Sequence, residues 1–106
     1  MTSQSTTYPL LTLEKLSLLY RRVRGQRITI EDLELIDHYM TAVGRAGVVK
    51  ASCQEENILS FEEAIEVIKY GDSNMEDRFA ASGLTGSLGG MLLGLMHRVE
   101  RGQKIY

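Results

Sequence analysis

Tryptophan is absent from this chain, and phenylalanine occurs twice, proline once and cysteine once. A core for 106 residues must therefore be built mainly from Leu, Ile, Val and Met, a palette that suits packed helices better than a β-sandwich. The lone Cys53 excludes an internal disulfide and points to a reducing, cytoplasmic setting. Its plain reading is a small buried hydrophobe rather than a reactive thiol. Excess charge of one sign is missing too: 12 Lys and Arg stand against 14 Asp and Glu, for a net charge of -2. Nothing in that balance draws the chain toward nucleic acid or an acidic membrane, so any such contact has to be a local patch. The opening residues MTSQSTTYP lack a cationic block followed by an apolar one. They read as a flexible tail over 1–11 rather than a secretory signal, leaving 12–106 as a single helical domain.

What the chain does have is repeated helix punctuation. Thr12 caps a helix expected over 13–24, with Leu11 and Leu16 at the two positions of a hydrophobic staple and Gly25 as the stop. Leu13, Leu16, Leu19, Tyr20 and Val23 follow helical spacing along it. Thr29 and Asp32 then form a box-like pair, with Ile28 and Leu33 as staple, opening a second helix expected over 30–46. Val48 and Val49 read as an extended piece before one helical turn from Ser52. Ser60 with Glu63 opens a short third helix over 61–70, and Ser73 with Glu76 opens a fourth over 74–101, with Gly102 as its stop. The expected fold is all-α: a compact four-helix bundle whose long glycine-rich C-terminal helix lies at the centre or at a dimer interface.

That last helix carries the sequence's main puzzle, GLTGSLGGMLLGLM over 83–96. Residues four apart share a helix face, so Ser82, Gly86, Gly90 and Gly94 form a smooth stripe opposite Leu84, Leu88, Leu92, Leu95 and Val99. Five interior glycines forfeit roughly 4 to 5 kcal/mol of helix propensity against alanine. Close approach of another helix backbone offsets such a loss. The expectation is that earlier helices cover the leucine face, while the stripe receives one of them or the same helix of a second subunit.

Neither a phosphate cradle nor a membrane span fits this segment well. The G-x-x-x-x-G-K-[ST] pattern is missing and no strand precedes it. The uncharged run 79–96 is diluted by five Gly, two Ser and one Thr, so no membrane span is expected.

The inventory for catalysis is equally thin. His38 and His97 have no nucleophile placed beside them. His97 with Glu100 offers two ligands one turn apart, and 72–77 begins like a calcium loop, but neither pattern is completed. No catalytic residue, metal site or cofactor is assigned. The long link after the second helix, and the acidic character of the next, argue against a helix-turn-helix reader of DNA.

Charge segregation is the more useful signal. Between Thr12 and Ile28 five basic residues face one acidic residue, whereas Glu55 to Glu66 holds five acidic and none basic. Opposite poles favour oriented contacts. The expected function is a small non-catalytic protein that binds a protein partner as a regulatory, adaptor or assembly subunit, as a homodimer. Its contact residues are Leu18, Tyr20, Arg21, Arg22, Arg24 and Arg27. The alternative is an accessory nucleic-acid binder in which those arginines meet phosphates and Tyr20 stacks on bases.

Overall fold

A computed structural model describes residues 8–25, 27–55 and 84–106. Four helices occupy them: α1 (Leu13–Arg24), α2 (Ile30–Ala42), α3 (Val48–Glu55) and α4 (Leu84–Glu100). No strand occurs among the described residues, and no described helix is long and apolar enough to cross a membrane. The expected helix over 61–70, residues 74–83 of the expected fourth helix, and Ser82 of the glycine stripe lie outside the described residues.

Both early starts follow from their caps. The Thr12 hydroxyl accepts from the Lys15 N–H at 3.1 Å, and Leu11 and Leu16 are both buried. At α2 the capping box closes in both directions: Thr29 Oγ1 accepts from Asp32 N–H, and Asp32 Oδ2 accepts from Thr29 N–H. Gly25 ends α1 with a φ of -86°, so it serves through its size. A Cβ there would stand 3.2 Å from the Arg21 carbonyl oxygen.

Two expectations need correction. α2 ends at Ala42, four residues early, because Gly44 takes a φ of 84°. Its N–H bonds the Thr41 carbonyl while Arg45 N–H reaches back to Met40, which is the paired bonding of a Schellman stop. The piece expected to be extended at Val48 and Val49 is the first turn of α3. The helix penalty of two valines is a few tenths of a kcal/mol each, whereas complete burial of Val49 and Cys53, one turn apart, contributes more.

The core lies between α1 and α4, and α2 and α3, packed on each other and on α4, add their buried residues to it. Leu88, Leu92 and Leu95 recur at helical spacing on α4 and are almost completely buried, facing Leu16, Leu19 and Val23 of α1 within one cluster. Leu33, Ile36 and Tyr39 of α2 complete the layer.

Residues 8–11 of the expected tail are anchored. Leu11 is buried and donates its N–H to the Ile105 carbonyl at 2.8 Å. The Tyr39 hydroxyl donates to the Pro9 carbonyl at 2.6 Å. Tyr8 stacks on the His38 ring with centroids 3.7 Å apart, and His38 Nε2 donates to the Tyr106 backbone oxygen at 2.9 Å. Residues 8–11 and 105–106 are thus held together over α2.

Candidate functional site

Two surfaces carry the residues that sequence reasoning singled out, and the structure treats them differently. On α1, amphipathic spacing turns Leu16, Leu19 and Val23 inward and leaves Leu13 and Leu18 on the outer side, 43% and 37% exposed. These two leucines, with Lys15, Ser17 and Arg21, line a shallow concavity along the helix. Leu10, just before the helix, is exposed as well. Arg21, Arg24 and Arg27 are exposed around its C-terminal end.

Arg22 has a different place from its neighbours. Its Nη1 donates to both carboxylate oxygens of Asp32, at 2.9 and 3.0 Å, and Asp32 is only 4% exposed. That pair, shared with the capping box of α2, locks the two helices at their junction; a buried carboxylate left alone would be costly. The internal pair thus engages a guanidinium that sequence reasoning had assigned to a partner. Tyr20 is also engaged internally. Its ring edge rests 3.5 Å from where a Cβ of Gly89 would stand, and its hydroxyl accepts from Arg24 Nη1 at 3.4 Å.

Gly89 is therefore the glycine at which α1 and α4 meet closely. Sequence spacing had pointed instead to Gly86, Gly90 and Gly94. All three are exposed, and among the described residues nothing lies within 4 Å of a Cβ built on any of them. Leu93, 48% exposed, flanks the stripe. On the side nearest α2 and α3, Gly90 and Gly94 border a groove that also meets Arg45 and Arg98.

Among the described residues no three His, Cys, Asp or Glu side chains gather around one point. Burial pushes the Cys53 thiol above its ordinary value, the opposite of what a nucleophilic thiolate requires. Burial, and then the neighbouring Tyr8, push the Tyr39 phenol up as well, in keeping with a hydroxyl that donates to a carbonyl. Compared with family models, curated proteins and solved structures, the chain shows no match.

Proposed function

We propose that the chain is a small non-catalytic helical subunit of the cytoplasm that binds a protein partner in a regulatory, adaptor or assembly role, and that it does so as a homodimer. The observation that carries this reading is the bare side of α4. Gly86, Gly90 and Gly94 each cost about 0.8 to 1 kcal/mol of helix propensity, and no described residue closes on them to offset it. The same helix of a second copy, crossing over the stripe beside Leu93, supplies the missing backbone contact. The glycine-rich helix then sits at the interface of a helical bundle made by two chains.

The heterologous partner is assigned to the outer side of α1. Leu13 and Leu18 provide apolar area, and Arg21, Arg24 and Arg27 select an acidic counterpart. Capture from the source cell extract tests the assignment: the partner is retained by the native chain and lost with Arg21→Glu combined with Arg24→Glu. Retention of mixed nucleic acid that falls steeply with salt, and that the same double variant abolishes, would put the nucleic-acid reading in its place. A light-scattering mass of one chain across micromolar concentrations would remove the homodimer.

A further inference from the structure

Apolar area and charge are separated along the outer side of α1. Leu10, Leu13 and Leu18, which are 42%, 43% and 37% exposed, lie just before the helix and along its first half. Arg21, Arg24 and Arg27 are exposed around its end. Glu14 and Lys15 offset each other in the first turn, so net positive charge is confined to the far end. The shallow concavity lined by Leu13, Ser17, Leu18 and Arg21 joins the two regions, with a volume of about 370 to 670 Å³ at its upper figure of 670 Å³. The residues that bound it, Thr12 to Arg21, span about 14 Å of helix axis.

A nucleic-acid backbone would use the arginines but gain nothing from exposed leucines beside them. An extended peptide adds to a strand edge, and this surface is the side of a helix whose backbone bonds run within itself. A bound helix suits both regions: apolar residues three and four apart lie along the leucines, and carboxylates meet the arginines. Its direction follows from the dipoles. A helix best accommodates acidic residues in its first turn, at the positive end of its dipole. Setting that turn beside Arg21, Arg24 and Arg27 makes the two helices antiparallel. The opposite direction would put the carboxylates at the bound helix's own negative end.

We propose, resting on the assignment of the partner to this side of α1, that the partner's contact element is an amphipathic helix with an acidic first turn. It docks antiparallel to α1, with its apolar seam passing over Leu18, Leu13 and Leu10 in that order.

The probe is a stapled helical peptide of about 15 residues that opens on Ser-Glu-Glu-Glu and carries a leucine seam. One control replaces its glutamates by glutamines, and another moves them to the last turn. Titrated into the isotope-labelled full chain, the probe is expected to give saturable amide shifts along α1. A nitroxide on its first residue should broaden Arg24 and Gly25, and one on its last residue Leu10 and Leu13. Either control peptide, or Arg21→Glu with Arg27→Glu in the chain, should bind on the order of tenfold more weakly. Leu13→Ser with Leu18→Ser should weaken binding at least as much with an unchanged helical spectrum; should it fail to fold, the arginine variant decides. Absence of saturation at millimolar probe, equal binding of either control, or a reversed nitroxide pattern would overturn the proposal. So would tighter binding of a mixed-sequence oligonucleotide to the same amides, or shifts of those amides with the concentration of the chain alone, which would give the face to phosphates or to a second copy. Extract capture that depends on Arg21 and Arg24 while the peptide fails would overturn the helical occupant and leave the α1 assignment standing; failure of both would remove the assignment as well.

Discussion

The two sides of α4, compared among the described residues, are built on opposite terms. One side buries Leu88, Leu92 and Leu95 against α1, with Gly89 shaved down to admit the Tyr20 ring. The other presents Gly86, Gly90 and Gly94, at which nothing among the described residues arrives. Glycine thus has two meanings within one helix. At Gly89 the missing side chain is used within the chain, whereas along the stripe it is a cost that the described chain does not recover. That contrast is what turns an architectural oddity into an argument about assembly.

The largest effect should come from the leucine side. Leu92→Ala is expected to cost about 2 to 5 kcal/mol, since a fully buried leucine leaves a cavity, and chemical denaturation measures it directly. Next comes the junction that frames this side. Asp32→Ala removes both the Arg22 pair and half of the capping box, for an expected loss of roughly 2 to 3 kcal/mol, read by thermal melting. Arg22→Ala should be at least as harmful, because it strands the buried carboxylate.

Smaller and opposite in sign is Gly94→Ala. Measured below the concentration at which two chains associate, it should raise the stability of the chain by about 0.8 to 1 kcal/mol, as no described residue lies within 4 Å of its Cβ. A loss in that dilute denaturation experiment would show that the stripe is already packed within the single chain, and would erase the contrast. Smallest for folding is Leu18→Glu, expected to change stability by less than about 0.5 kcal/mol while abolishing capture of the α1 partner. Undiminished capture would move the partner elsewhere.

Local grammar was legible where its causes are local. The bounds of α1, the Thr12 cap, the Thr29–Asp32 box and the two staples all rest on residues a few positions apart, and each is present. Leu88, Leu92 and Leu95 of the seam expected on α4 were equally readable from their spacing, with Val99 packed partly buried beside them. Hydrophobic periodicity overran the true end of α2 because Ala46 keeps the spacing, while the stop depends on Gly44 adopting a left-handed φ. The helix at Val48–Glu55 hid behind β-branched residues whose propensity tertiary burial overrides.

Contacts between distant segments were harder still. Arg22 reads as one more cation in YRRVRGQR, and only the structure brings Asp32, ten residues on, to its guanidinium. The anchoring of Tyr8 and Pro9 depends on His38, Tyr39 and residues at the far end of the chain. Likewise the i, i+4 pattern marked the stripe but not Gly89, whose neighbour comes from another helix.

Sedimentation equilibrium of the native chain beside Gly90→Leu, with the unfolding free energy of each determined in parallel, tests the central claim most directly. The account predicts a native mass of two chains, and a variant that has the mass of one chain yet folds at least as stably when compared at the same concentration below the dimer's dissociation range. A native mass of one chain, or a variant that loses stability there as an overpacked core would, contradicts it.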